Sequence, residues 1–317
     1  MTAIIAVNEL TKSYGRSRGI SHVTFTVDEG EIFGFLGPNG AGKTTTIRVL
    51  MGLLHPTSGG ATIGGRDVWS ESVAVKQLVG YLPGELALDP NLTGGQILEY
   101  FANLRGGVDR AYAESLIARL DLDTTKRFRE YSRGNKQKVG LVQAFMHKPQ
   151  LLILDEPTSG LDPLNQQEFN KLVGETRAEG RTIFLSSHIL PEVEQVCDRV
   201  GIIREGEVVR LDAVSALKDL RQHEVAISFA GPAPLEAFQS LPGVSAAATE
   251  QGGRVARLTV QGDLGEVLRV AVAHGAVNLT THEPSLEDIF LRYYEGGQSS
   301  QGAPAAPAAK EASGVSQ

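Results

Sequence analysis

Residues 37–45 read Gly37-Pro38-Asn39-Gly40-Ala41-Gly42-Lys43-Thr44-Thr45, a glycine-rich run that fits the phosphate-binding pattern G-x-x-x-x-G-K-[ST]. Residues 32–36 before it predict a short buried strand, and residues 44–53 after it predict a helix. Glycines let backbone N–H groups turn inward around a polyphosphate, and the positive end of the helix dipole adds to that field. Lys43 can then reach the β- and γ-phosphates, and the Thr44 hydroxyl can hold Mg²⁺.

Two further strands are predicted to end in ionisable side chains. Residues 151–154 are four apolar residues that lead directly into Asp155 and Glu156, and carboxylates at the carboxyl end of such a strand lie where open α/β sheets bind ligands. One acid can hold Mg²⁺, and the next can orient and deprotonate an attacking water. Residues 182–187 form a similar strand that delivers His188. Its register with the other strand ends favours contact with a γ-phosphate over a purely structural role.

A helix is predicted to start within residues 131–139, which read Tyr131-Ser132-Arg133-Gly134-Asn135-Lys136-Gln137-Lys138-Val139. Ser132 suits the N-cap, and apolar residues recur after it. A helix start with free N–H groups is an anion site, although a cap with no ligand explains this segment better when it is taken alone. Residues 159–163 read Ser159-Gly160-Leu161-Asp162-Pro163 and predict a turn directly after the acidic pair.

In this order and spacing, these segments resemble the ATP-binding subunit of ABC transporters, over roughly residues 3–215. Many nucleotidases share the phosphate loop, but its combination with residues 132–138, residues 151–162 and His188 is far more specific. The resemblance implies an α/β fold with a P-loop (RecA-like) core, an antiparallel β subdomain and a helical insert. It also implies ATP hydrolysis with ATP and Mg²⁺ as cofactors.

The resemblance further implies roles for individual residues. Lys43 matches the phosphate-binding lysine, Thr44 and Asp155 match the Mg²⁺ ligands, Glu156 matches the general base and His188 matches the switch histidine.

The implied nucleotide contacts extend beyond the phosphate loop. Tyr14 matches the aromatic residue that stacks on adenine, and Asp162 matches the aspartate that communicates across the dimer interface. Residues 132–135 match the signature segment, which in the family binds the γ-phosphate of ATP held by the other protomer. The complete implied set is Tyr14, Gly37, Pro38, Asn39, Gly40, Ala41, Gly42, Lys43, Thr44, Thr45, Ser132, Gly134, Asn135 and Asp162.

Two segments depart from the family pattern. The signature usually reads Leu-Ser-Gly-Gly-Gln, whereas here Arg133 replaces a small residue and Asn135 shortens an amide side chain that can still cap and donate. The family also places a glutamine where Gly84 stands, a residue that touches Mg²⁺ and water and couples to the membrane subunit. Glu85 can replace it only if the backbone shifts by one residue. A solvent-facing Glu85 beside a turn at Gly84 is equally compatible with the sequence.

The composition limits the classes of protein to which this chain can belong. The chain has 317 residues, enough for two domains, and its single Cys197 excludes an internal disulfide and fits a reducing compartment. No apolar run approaches the ~20 residues that span a bilayer, and no cleavable leader is predicted. The net charge is −7, with no basic stripe to indicate nucleic acid. Taken with this composition, the resemblance implies a peripheral subunit at the cytoplasmic face of the membrane, bound to a separate integral-membrane permease.

The chain is predicted to contain an ATP-binding domain over residues 1–221, with a helical subdomain at about 86–148. Residues 222–295 alternate strand and helix in the order βαββαβ, which predicts a small α+β, ferredoxin-like domain. They carry 4 basic and 9 acidic residues and include a last predicted helix at 286–294. Residues 296–317 are mostly Gly, Ser, Gln, Ala and Pro and predict a disordered tail.

The C-terminal segment Pro284-Ser285-Leu286-Glu287-Asp288-Ile289-Phe290 resembles the extension of drug- and antibiotic-type exporter ATPases. The chain has one phosphate loop and one signature, so a site shared between protomers needs a second copy or a related subunit. The favoured function is an ATPase that dimerises on ATP and powers export of drugs, antibiotics or lipid-like molecules. The alternatives are a soluble ATPase switch of this superfamily and a ligand-sensing regulator that uses residues 222–295.

Overall fold

The apolar runs of the sequence form strands that are buried on both faces, and helices cover these strands. The computed structural model describes residues 2–15, 17–218, 222–250 and 252–282. Its strands are β1 (Ala3–Tyr14), β2 (Ser17–Asp28), β3 (Ile32–Leu36), β4 (Ser58–Ile63), β5 (Arg66–Asp67), β6 (Val79–Leu82), β7 (Leu151–Asp155), β8 (Thr182–Ser187), β9 (Arg199–Arg204), β10 (Glu207–Ala213), β11 (Gln222–Phe229), β12 (Val244–Glu250), β13 (Val255–Gln261) and β14 (Ala276–His282).

The helices fall between these strands, and one 3₁₀ turn lies at Phe128–Glu130. They are α1 (Lys43–Leu50), α2 (Ser72–Leu78), α3 (Gly94–Leu104), α4 (Arg110–Arg119), α5 (Arg133–Phe145), α6 (Pro163–Ala178), α7 (Leu190–Val196), α8 (Val214–Lys218), α9 (Leu235–Gln239) and α10 (Gly265–Ala273). The chain divides into two compact units, one up to Lys218 and one after it. Within the described part of the chain, every helix is too short or too polar to traverse a bilayer.

The central sheet of the first unit has the strand order β10-β9-β3-β8-β7-β6. All its neighbouring strands are parallel except β10, which runs antiparallel to β9. Strands β3, β7 and β8 are buried at every position, as their apolar runs predicted. Because parallel strands end at the same edge of the sheet, the segments that follow β3, β7 and β8 are neighbours in space.

A second, antiparallel sheet with the order β2-β1-β4-β5 packs against the central sheet, and the alternating pattern near the N-terminus predicted its first two strands. Four phenylalanines join the sheets: Phe25 of β2 packs against Phe33 and Phe35 of β3 and against Phe184 of β8, at ring-centroid distances of 5.4 to 5.9 Å. All four rings are buried. This aromatic cluster makes a rigid base beneath the phosphate loop.

Helices α3 to α5 interrupt the strands where the helical insert was predicted. Helix α3 begins with a capping box in which the Thr93 and Gln96 side chains accept from each other's backbone N–H. Ser132 caps α5 as predicted, since its hydroxyl accepts from the backbone N–H of Asn135 at 3.3 Å. Helix α1 is shorter than its prediction and ends at Leu50, because the chain turns at Gly52 with a φ of 61°.

The second unit is an antiparallel sheet with the order β12-β13-β11-β14, and α9 and α10 cover one of its faces. Its core joins Val225 and Ile227 of β11 to Phe238 of α9 and Val267 of α10. This is the strand order of a split βαβ unit. The helix predicted at 286–294 and the tail predicted at 296–317 lie outside the described residues.

Candidate nucleotide site

The phosphate loop is folded around its own lysine. Gly42 caps α1 with a φ of 113°, and a Cβ at Gly37 would lie 2.3 Å from the carbonyl oxygen of Ile203, so both positions require glycine. Lys43 Nζ donates to the carbonyl oxygens of Gly37 at 2.6 Å and Pro38 at 3.2 Å. The Lys43 side chain is only 5% exposed, so its charge is held inside the loop at the end of β3.

A buried carboxylate joins the loop to the neighbouring strands. Asp155, 1% exposed, accepts from the Thr44 hydroxyl at 2.8 Å and from the Ser186 hydroxyl at 2.6 Å. Ser186 Oγ also accepts from the backbone N–H of Glu156 at 3.0 Å. Sequence reasoning missed Ser186, because its contact depends on the register that pairs it with Asp155 on the neighbouring strand.

Glu156 lies between two nitrogen-bearing side chains. Its Oε1 is 3.3 Å from Nδ1 of His188 and 3.4 Å from Nζ of Lys43, so the structure brings together the three residues predicted to be catalytic. Glu156 has a φ of 49°, a left-handed backbone that costs free energy in a non-glycine residue. The Gln137 amide supports it by donating to the carbonyl oxygens of Glu156 at 3.0 Å and Pro157 at 3.1 Å. Gln137 lies two residues after the signature segment, and this role for it was not predicted.

The predicted signature residues form a second cluster with residues 156–162, which we call the linker loop. Ser132 is exposed at the start of α5, and a Cβ at Gly134 would lie 2.4 Å from the carbonyl oxygen of Gly160. Asp162 caps α6, accepting from the backbone N–H of Asn165 at 3.0 Å and from its side-chain amide at 2.6 Å, and these bonds lower the Asp162 pKa.

The remaining predicted residues lie at the margins of these clusters. Tyr14 ends β1 with 42% of its surface exposed, and Lys12 Nζ lies 5.6 Å from its ring centroid. A Cβ at Gly84 would lie 3.1 Å from Asp155 Oδ2, so the backbone at Gly84 approaches the carboxylate closely. Burial, together with the Asp155 charge, raises the pKa of Tyr81 to about 12. Glu85 is exposed and forms no hydrogen bond or ion pair with the described residues.

Known proteins match both the sequence and this geometry. The ABC transporter family profile matches residues 20–159. The Bacillus licheniformis bacitracin transport ATP-binding protein BcrA is 36% identical over 94% of this chain and 99% of its own length. The chain belongs to the ABC transporter family. The Bacillus subtilis linearmycin resistance ATP-binding protein LnrL is 33% identical to this ABC ATPase over 91% of the chain and 97% of its own length.

A solved ATP-binding subunit of an ABC transporter superimposes on this ABC ATPase with a TM-score of 0.63 and 32% identity, covering 68% of this chain and 92% of the solved one. The predicted P-loop fold is thereby confirmed. The predicted ATP-binding and ATP-hydrolysing class is confirmed by the family and its relatives, and the ABC ATPase acts with a separate membrane subunit.

The Ser186 hydroxyl generates the first prediction. Ser186→Ala removes one of the two donors to Asp155 and the acceptor for the Glu156 N–H, so ATP turnover should fall about 10-fold or more, the cost of losing a hydrogen bond to a buried charge. Steady-state ATPase assays measure it. Ser115→Ala is the control for loss of a serine hydroxyl, because Ser115 is exposed on α4 and its hydroxyl donates to the carbonyl oxygen of Tyr112, away from Asp155 and Glu156. Equal rates for Ser186→Ala and the wild type would contradict the assignment.

Proposed function

We propose that this ABC ATPase powers an exporter of drugs, antibiotics or lipid-like molecules, from the cytoplasmic face of the membrane, by closing as a dimer around Mg·ATP. The observation that carries the hydrolytic part is the single carboxylate oxygen of Glu156, held between His188 and Lys43 at the end of the parallel sheet. Relatives that span both units are named for bacitracin transport and linearmycin resistance, which supports export over the soluble-switch and ligand-sensing alternatives.

The residues present fit a Mg²⁺ ion. Thr44 and Asp155 offer a hydroxyl and a carboxylate 2.8 Å apart beside the phosphate loop, and no group of three His, Cys, Asp or Glu residues in the described ranges forms an all-protein metal cage. This donor set suits Mg²⁺, which binds through one or two protein oxygens plus substrate phosphates. When bound, the ion would neutralise charge on the β- and γ-phosphate oxygens.

Glu156 is the proposed general base. Its Oε1 can accept the proton of the attacking water, since the carboxylate lies at the sheet edge with 24% of its side chain exposed. Lys43 would contact the phosphates, and His188 Nδ1, 3.3 Å from the same oxygen, would hold the carboxylate and approach the γ-phosphate. Tyr14 is proposed to stack on adenine, for which its exposed ring is available.

Glu156→Gln tests the base. The amide keeps the shape of the side chain but cannot accept a proton, so hydrolysis should fall about 10²-fold or more while ATP binding is retained. Nucleotide-binding and single-turnover assays measure the two properties, and the variant should accumulate as a nucleotide-bound dimer. Glu114→Gln, on the exposed surface of α4, makes the same chemical change away from the site. Wild-type turnover in Glu156→Gln would mean that another group is the base.

The proposed dimer completes each site with residues from both protomers. Ser132 and Asn135 lie at the start of α5, where free backbone N–H groups favour an anion, and Ser132 is exposed. We propose that this helix start, with Gly134, binds the γ-phosphate held by the partner subunit, and that Asp162 lies at the interface. Closure would exclude water and assemble the site.

Mixing two inactive variants tests the shared site. Ser132→Arg places a bulky cation at the helix start, and Lys43→Ala removes the phosphate-binding lysine. A mixed dimer then has one site with both defects and one intact site, so partial ATPase activity should return when the two inactive proteins are mixed. Mixing Lys43→Ala with itself is the control. Full activity in Ser132→Arg alone would disprove the arrangement.

A groove beside the helical insert is the proposed docking place for the membrane subunit. Its cavity of about 790 Å³ is lined by the loop that follows β6 and by α2 and α3. Among its lining residues, Leu53, Val73 and Leu104 are 53%, 73% and 64% exposed. Contact between such apolar side chains and water is unfavourable, and a protein partner would bury them.

Two substitutions distinguish whether ATP hydrolysis is coupled to transport through the groove or through Glu85. Leu104→Glu should abolish transport in the intact complex but leave the ATPase rate of the isolated subunit unchanged, because it places a charge in the groove and none in the nucleotide site.

Glu85→Ala should lower transport only if Glu85 replaces the absent glutamine. Paired ATPase and transport assays decide this, with Leu268→Glu in the second unit as the control for an exposed leucine made acidic. Normal transport in Leu104→Glu would place docking elsewhere.

A further inference from the structure

Arg133 occupies a signature position where the family has a small residue, and it makes a specific contact. Its Nη2 donates to the Ser159 hydroxyl at 2.7 Å, and the residue forms no ion pair within the described ranges. Its aliphatic stem lies against the linker loop, since a Cβ at Gly160 would be 3.2 Å from Arg133 Cγ. The guanidinium therefore joins the first turn of α5 to the middle of the linker loop.

Helix α5 contacts the same loop at two more points. Gly134 lies directly against the Gly160 carbonyl oxygen, and the Gln137 amide donates to the carbonyl oxygens of Glu156 and Pro157. Along α5 the contacts come from residues 133, 134 and 137, and along the loop they reach Ser159, Gly160 and the Glu156–Pro157 pair. One helix thus contacts the loop at its beginning and in its middle.

The linker loop begins at Glu156, the proposed base, and α5 begins after Ser132, proposed to meet the partner's nucleotide. The backbone of Glu156 is strained at a φ of 49°, so its position depends on these external supports. Of the three contacts, the Arg133 bond is the one nearest to Ser132 in the sequence. It is thus the contact that a displacement at the start of α5 reaches first.

We propose that Arg133 is a positioning residue that, through Ser159, joins the signature segment to the linker loop. The nucleotide bound in one site then determines the position of Glu156 in the other site. The proposal rests on the proposed shared site and assigns Arg133 a task that a small residue cannot perform. Coupling of this kind is reciprocal in the binding free energies of the two nucleotides. The two sites of a dimer should therefore bind ATP cooperatively.

A double-mutant cycle between Arg133 and Ser159 tests the proposal on the full chain. Arg133→Ala and Ser159→Ala should each lower kcat about 5- to 10-fold, the effect of one lost solvent-exposed hydrogen bond, and should lower the Hill coefficient for ATP toward 1. KM should change little. The double variant should be no worse than either single one, and Arg133→Lys, which keeps a donor, should recover part of the cooperativity.

The control is Arg129→Ala, which removes another exposed arginine just before α5, one whose side chain donates to Asn91. Its kcat and Hill coefficient should match the wild type, and thermal melting should show that every variant is folded. Additive effects of Arg133→Ala and Ser159→Ala would overturn the proposal. The proposal would also be overturned if Ser159→Ala had wild-type kinetics while Arg133→Ala raised KM, because Arg133 would then contact the nucleotide directly.

A wild-type Hill coefficient of 1 would also overturn the inference, since no coupling would exist for Arg133 to transmit. The proposed function is tested separately by the Glu156→Gln variant and by the mixing of Ser132→Arg with Lys43→Ala. If those tests succeed and the Arg133 variants behave like the wild type, only the inference about Arg133 fails.

Discussion

The buried carboxylate of Asp155 is the interaction on which the site depends. A charge almost removed from water is costly unless hydrogen bonds satisfy it, and Asp155 receives one from Thr44 and one from Ser186. These donors come from α1 and β8, while Asp155 ends β7. The carboxylate therefore fixes three elements to one another, and the lysine of the phosphate loop and the acid of the linker loop are held in the space between them.

The backbone is strained at this same edge of the sheet, where the proposed chemistry occurs. Glu156 adopts a left-handed backbone directly after β7, and it persists there because Ser186 accepts its N–H and Gln137 donates to its carbonyl oxygen. The first support belongs to the central sheet and the second to the signature helix. The base is thus held jointly by the rigid sheet and by the helical insert, which is the part proposed to engage the partner subunit and to lie beside the membrane subunit.

Local patterns were enough to predict most of the framework. The phosphate loop, the buried strand before Asp155 and the Ser132 cap each depend on residues that are close in sequence. Ser186, Gln137 and the bond of Arg133 to Ser159 could not be obtained in that way, because they depend on strand register and on the packing of α5 against loop residues 19 to 26 positions away. The roles assigned to the site residues remain predictions.

The position of Gly84 shows why a departure from a family pattern needs a structure to interpret it. By sequence, the loss of a glutamine there removes a polar contact, and Glu85 is the nearest substitute. In the structure the Gly84 backbone lies so close to Asp155 that even a Cβ would be 3.1 Å from the carboxylate, while Glu85 is exposed. A side chain at Gly84 would require the loop or the Asp155 carboxylate to shift by a few tenths of an ångström. The glycine therefore goes with a close approach of this loop to the carboxylate, and the apolar groove beside the same loop is the surface proposed to contact the membrane subunit.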